Sequence, residues 1–162
     1  MKHILFTLLA VLTLLAASNL RAEVVRPAPE FFWTDATGAR KSSKSLLGRP
    51  VVVLIADSPR EWVFRSQVGQ LQKMYERIAN DKTVCVVAFS REPGVVRSNI
   101  PFVIASDGPR VSYDFQTEKG FAIAIIGRDG NLDYTGNRVL PVQRIFDILG
   151  NSFAVQKSLR RP

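Results

Sequence analysis

The run Val51-Val52-Val53-Leu54-Ile55-Ala56 is apolar at every position, the pattern of a strand covered on both faces. Thr83-Val84-Cys85-Val86-Val87-Ala88-Phe89 repeats it. Between the two the period changes. Phe64, Val68, Leu71, Tyr75 and Ile78 follow one another at spacings of 4, 3, 4 and 3, which draws one apolar stripe along a long helix. Arg65, Gln72, Lys73, Glu76 and Arg77 lie largely away from that stripe, and Trp62 lies opposite it. Ser58-Pro59-Arg60-Glu61 fits a capping box, with Ser58 as cap, Pro59 at the first helical position and Glu61 reaching back. Strand, helix and strand in this order predict a right-handed parallel crossover. Trp62 falls at the rim where that crossover opens.

The flanking pattern is shorter and more broken. Pro27 to Pro29 is an extended lead-in, Phe31 to Thr34 a short aromatic strand, and Asp35-Ala36-Thr37-Gly38 a turn. A basic, serine-rich stretch then leads to Leu46-Leu47-Gly48, and Arg40, Lys41, Lys44 and Arg49 form the densest basic patch, read as a solvated loop. After a loop from Arg91 to Asn99 come a short strand, Phe102 to Ala105, and a short helix, Pro109 to Phe115. Phe121 to Ile126 and Leu132 to Thr135 make a hairpin turned by Asp129-Gly130. Val142 to Leu149 is a closing helix with Gly150 as its stop. These elements predict an α/β domain with a mixed sheet of about five strands and helices on both faces.

The start of the chain has a different character. Lys2 and His3 precede an apolar run of 14 residues, Ile4 to Ala17, and a polar exit ends at Ala22. This reads as a signal peptide over residues 1–22; the rival reading is an uncleaved membrane anchor, for which the run falls short of the roughly 20 apolar residues that span a bilayer. The expectation is export, to the periplasm or outside the cell, with a single domain over 23–153 and a basic tail over 154–162. The whole chain carries +8; loss of Lys2 and Arg21 with the leader leaves +6. Export and the thin spread of cations argue against a nucleic-acid partner and leave weak contact with anionic surfaces open.

Two residue types then narrow the chemistry. The one histidine is His3, inside the leader. Ser-His-Asp and Cys-His nucleophile pairs and histidine-ligated metal sites therefore cannot be built from the mature segment, and no cofactor is expected. The one cysteine, Cys85, cannot form an internal disulfide. A lone thiol in an exported chain is a buried group, an intermolecular bridge or a reactive group. Its valine-rich surroundings favour the first, because burial raises a thiol's pKa and makes it inert.

Several segments in order resemble the thioredoxin-like superfamily, in particular its exported reductase and peroxiredoxin branches. They are Ala28-Pro29-Glu30-Phe31 with Asp35 and Gly38, then Leu47-Gly48-Arg49-Pro50-Val51-Val52, then Ser106-Asp107 with Val111 and Tyr113, and Ile125-Ile126-Gly127-Arg128-Asp129-Gly130. The final third, from Gly120-Phe121 to Gly130 and on through Ile145 to Leu149, is also similar to a domain-of-unknown-function branch that lacks the active-site cysteines. The resemblance implies the fold. It also implies where a redox site would stand: a cysteine pair at the start of the helix after the first central strand, faced by a proline that is usually cis.

Neither half of that site is present. Three ways of aligning the helix start place the pair at Arg60 and Val63, at Glu61 and Phe64, or at Ser58 and Glu61, and none of these is cysteine. Asp57 to Phe64 also lacks the threonine and cysteine that a peroxiredoxin needs. Gly120 or Phe121 takes the place of the proline. The vestigial region is accordingly Ser58, Pro59, Arg60, Glu61, Trp62, Phe64, Gly120 and Phe121, with no catalytic residue and no metal ligand assigned. Asp57 and Glu61 as an acid–base pair would need raised pKa values that nothing in the sequence implies. Trp62 is either a locally packed aromatic or a partner contact, and Arg60 either solvated or a holder of anionic groups. The expected function is binding or assembly with an unknown envelope or extracellular protein; the alternative is thiol-disulfide or peroxidase chemistry through Cys85 with a partner.

Overall fold

The computed structural model of the chain describes residues 26–117 and 120–152. The leader and the basic tail expected from the sequence lie outside the described residues. Among the described residues, seven strands and four α-helices follow in order: β1 (Phe32–Thr34), β2 (Arg40–Ser42), β3 (Val51–Ala56), α1 (Trp62–Gln72), α2 (Tyr75–Asn80), β4 (Val84–Phe89), β5 (Val103–Ile104), α3 (Gly108–Asp114), β6 (Ala122–Ile126), β7 (Leu132–Gly136) and α4 (Val142–Gly150). Five strands form one sheet in the order β5-β4-β3-β6-β7. The pairs β3–β4 and β4–β5 are parallel, β3–β6 and β6–β7 antiparallel, as the crossover and the hairpin require.

The apolar runs do what their pattern dictates. Every residue of β3 and β4 is buried, and alternate side chains feed two separate cores. Val52, Leu54, Ala56, Cys85, Val87, Ile123 and Ile125 face Phe64, Val68, Leu71 and Ile78 of α1 and α2 and Ile145 and Phe146 of α4. Val53, Ile55, Val86, Ala88 and Ala124 face the other way, onto Phe31, Trp33, Leu46, Val111 and Phe115. α3 and the β1–β2 hairpin thus cover the second face. The hairpin also continues the sheet at its β5 edge, where Trp33 bridges Ala105 and Ser106 N donates to Phe32 O at 2.8 Å.

Four expectations change. The basic stretch is not a loop: Arg40 and Lys41 pair with Thr34 and Trp33 in the β1–β2 hairpin. There Arg40 lies over the Phe32 ring at 4.2 Å, and Lys41 reaches Asp35 at 3.5 Å. The long helix breaks at Met74, whose backbone (φ −126, ψ 22) leaves the helical region. The break buries Met74 in place of Tyr75, which keeps its phenol at the surface. Gly150 is the last helical residue rather than the stop, and Asn151 caps the helix. The capping box does not form, for reasons given below.

Gln67 is a feature the apolar stripe conceals. It is fully buried among α1's core residues. Its Nε2 donates to Leu140 O at 3.1 Å, and its Oε1 accepts from Leu140 N at 2.6 Å. One amide therefore satisfies both backbone groups of a buried residue ahead of α4. Gln67→Ala is expected to cost about 2 kcal/mol, because two buried backbone groups lose their partners. Gln67→Leu should not restore the loss, although it fills the space. Urea unfolding at unchanged m-value measures this; a loss below about 0.5 kcal/mol would mean that water serves Leu140 instead.

Candidate functional site

The upper end of the sheet, where β3 and β4 finish side by side, gathers most of the residues singled out from the sequence. Parallel strands leave their carboxyl ends together, and the loops that follow them meet there. Asp57 follows β3 and Ser90-Arg91-Glu92 follow β4. Ser90 N donates to Ala56 O at 2.9 Å, and Glu92 N to Asp57 O at 2.9 Å. Asp57's carboxylate takes the Ser90 hydroxyl on Oδ1 and Arg91 on Oδ2 at 3.4 Å. This second strand end was not singled out in the sequence. A parallel β3–β4 register was the available signal, since it sets Ser90 beside Asp57.

Residues 58–61 form a turn, not the first helical turn. Arg60 N donates to Ser58 Oγ at 3.2 Å, and Glu61 N lies 3.4 Å from Ser58 O. Glu61 itself is extended (φ −59, ψ 134), so α1 starts one residue later, at Trp62, without a side-chain cap. Glu61 does reach back, but past Ser58: its Oε1 accepts from Asp57 N at 2.8 Å. The carboxylate satisfies the end of the strand and not the start of the helix. Pro59 packs on the loop after β4 so closely that a Cβ on Gly94 would come within 2.5 Å of its ring. Arg60 is exposed and sits 3.5 Å from Glu92.

Gly120 completes the site from the far side of the chain. Its φ of +51 is a left-handed conformation that favours glycine. A Cβ there would lie 3.5 Å from Glu61 Oε2 and 4.0 Å from Asp57 Oδ2. The position that the resemblance gives to a proline therefore does face the turn after β3, and the described residues contain no cis peptide bond. Beside it runs a cleft of 550 Å³ lined by Asp57, Ser90, Arg91, Pro109, Ser112, Tyr113, Thr117 and Gly120. Tyr113 is 82% exposed and Trp62 70%, so Trp62 is not a locally packed aromatic. Phe64 and Phe121 belong elsewhere. Both are buried, and Phe64 packs edge-on against Phe89 at 5.3 Å.

The chemistry open to this arrangement is limited. Asp57 and Glu61 both act as acceptors within the loop structure, which gives each a structural duty. Among the described residues no group of three or more His, Cys, Asp or Glu is placed to hold a metal ion. Cys85 is 2% exposed, on the inner strand β4 and facing α1. Burial pushes its thiol up to about 12, where almost no thiolate exists at neutral pH.

That shift has a signed consequence. The unfolded thiol ionises near 9.0 and the folded one near 12, so between these values the unfolded state holds fewer protons. Stability is therefore unaffected by this group below about pH 9 and falls as pH rises toward 12. Cys85→Ala should flatten that alkaline decline relative to the parent chain in paired denaturation curves. A native thiol reagent should modify Cys85 only as fast as the chain unfolds. Rapid stoichiometric labelling of folded protein would overturn the assignment.

No family model matches the sequence, and no curated protein matches it either. Solved structures do resemble it. A putative thioredoxin from Neisseria meningitidis is 18% identical at a TM-score of 0.62, covering 85% of this chain and 99% of its own. The mitochondrial 2-Cys peroxiredoxin of Plasmodium falciparum is 13% identical at a TM-score of 0.63, covering 85% and 98%. The exposed lipoprotein thioredoxin Etrx1 of Streptococcus pneumoniae is 13% identical at 0.57, covering 75% and 98%. Identity this low speaks for the fold and not for the activity. The chain has the thioredoxin-like fold, and its only cysteine stands on an inner strand of the sheet rather than at the start of the helix that follows β3.

Proposed function

We propose that this is an exported thioredoxin-like protein whose former redox site is chemically inactive and serves as a binding or assembly module in the cell envelope. One observation carries the reading. The turn that faces Gly120 holds Asp57, Ser58, Pro59, Arg60 and Glu61, with no thiol among them. Exposure of Trp62 at the start of α1 and of Tyr113 on the cleft wall supports a contact surface there. Two large aromatics left in water are costly unless something covers them, and both types are favoured at interface centres. The partner is an envelope or extracellular protein that lays a segment across the cleft between α3 and the β3 end.

The alternative routes thiol chemistry through Cys85 and a partner protein. Its burial and raised pKa weigh against that route, since the thiolate is the reactive species. Nothing at the Asp57 cleft brings a second thiol to it.

The purified chain is expected to show no turnover in disulfide-reduction and peroxide-reduction assays. Sustained turnover that disappears in Cys85→Ala would replace the binding reading with the alternative. Affinity capture from the native envelope, repeated with Trp62→Ala and Arg60→Ala, locates the contact. Trp62→Ala should weaken capture by about thirtyfold, the effect of losing an interface hot spot. Full retention in both variants would remove the function from this end of the sheet.

A further inference from the structure

We infer that the opposite end of the sheet is a docking surface for an anionic lipid bilayer. This is independent of the reading above. Four cations converge there from separate parts of the chain. Arg49 Nε donates to Lys82 O at 3.3 Å, and Arg128 Nη1 donates to Gly48 O at 3.2 Å while Gly48 N donates to Arg128 O at 2.8 Å. Lys44 lies one turn earlier, its carbonyl accepting from Leu47 N at 3.3 Å. Leu47 stands among them, 59% exposed and propped on Gly130, where a Cβ would come within 2.9 Å of its Cδ2.

Three of these four basic residues have no ion-pair partner among the described residues. Among the described residues, Arg49, Lys82 and Arg128 have no carboxylate within ion-pair distance, whereas Lys44 pairs with Glu30 at 2.9 Å. Of the acids nearby, Asp81 lies 3.9 Å from Arg77, and Asp129 accepts from the neutral Asn131 and keeps its charge. Exposed guanidinium and ammonium groups with no acidic partner suit phosphate headgroups, which guanidinium binds through paired N–H donors. An exposed leucine in their midst suits a bilayer interface and has no use against a soluble polyanion.

Both ends of the described chain also lie here. Residues 1–25 join at Arg26, whose carbonyl accepts from Leu132 N at 2.8 Å beside the β6–β7 turn. Residues 153–162 follow Ser152, which shares a 250 Å³ cleft with Pro50 and Arg128. The following segment contains Lys157, Arg160 and Arg161. Docked this way, the protein holds the Asp57 cleft away from the bilayer, open to a partner.

The test is co-sedimentation of the full chain with phosphatidylcholine vesicles made with and without phosphatidylglycerol. The increment due to anionic lipid discounts any contribution of the apolar run. It should be clear at low salt and shrink as salt rises. The combined Arg49→Gln, Lys82→Gln and Arg128→Gln variant should lose about fivefold per cation, about a hundredfold in all. Leu47→Ser should weaken the increment several-fold, while Arg97→Gln, an exposed cation after β4, should leave it unchanged. Thermal unfolding of each variant checks the fold. Absence of an anionic increment in the parent chain overturns the proposal, as does its survival in the folded triple variant. An increment indifferent to Leu47→Ser, and matched by binding to a soluble acidic polysaccharide, overturns it in favour of a polyanion site.

Discussion

Three inner strands buried on both faces set the terms for everything else in this molecule. β3, β4 and β6 offer almost no exposed side chain, so each face must be roofed: α1, α2 and α4 on one side, α3 and the β1–β2 hairpin on the other. Polar groups cannot sit within such a sheet without partners. Chemistry is therefore confined to the two ends of the strands. A cysteine placed mid-strand in this layer, as Cys85 is, becomes a core residue whatever its reactivity elsewhere.

The same constraint explains what was legible in the sequence. Unbroken β-branched runs leave one reading, and both central strands, their parallel pairing and the β6–β7 hairpin followed from them. The lack of a cysteine from Ser58 to Phe64 was legible too, because it rests on residue identity. β2 was not legible. Arg40-Lys41-Ser42 is a hairpin strand held by pairing with β1, by stacking on Phe32 and by Asp35, and none of these shows in a local pattern. The break at Met74 has no glycine or proline to announce it. Its cause is tertiary: burying Met74 with Ile78 serves the core better than burying Tyr75.

The start of α1 shows why local motifs mislead near strand ends. Ser58 to Glu61 has the spacing of a capping box, but two backbone donors compete for the one carboxylate. The Asp57 N–H is left at the end of a buried strand, half enclosed by the loop after β4. The helix start is left without a side-chain cap, and Glu61 goes to the part-buried Asp57 N–H instead. That choice shifts the helix start to Trp62 and leaves the indole outside the core.

Magnitudes then separate stability from function. The loops at the Asp57 end are tied by partly exposed pairs such as Arg60–Glu92 and Arg91–Asp57, a class that contributes about 0–1 kcal/mol each. Each fully buried Leu, Ile or Phe of the two cores is worth about 2–3 kcal/mol. Exchanging the exposed Arg60 or Trp62 therefore costs the fold little, whereas exchanging Leu71 or Ile123 would threaten it. A site built this way can vary at Trp62 and Arg60 while the sheet beneath stays unchanged. Thioredoxin-like architecture and a helix start without cysteine are then compatible by construction, because they draw on different residues.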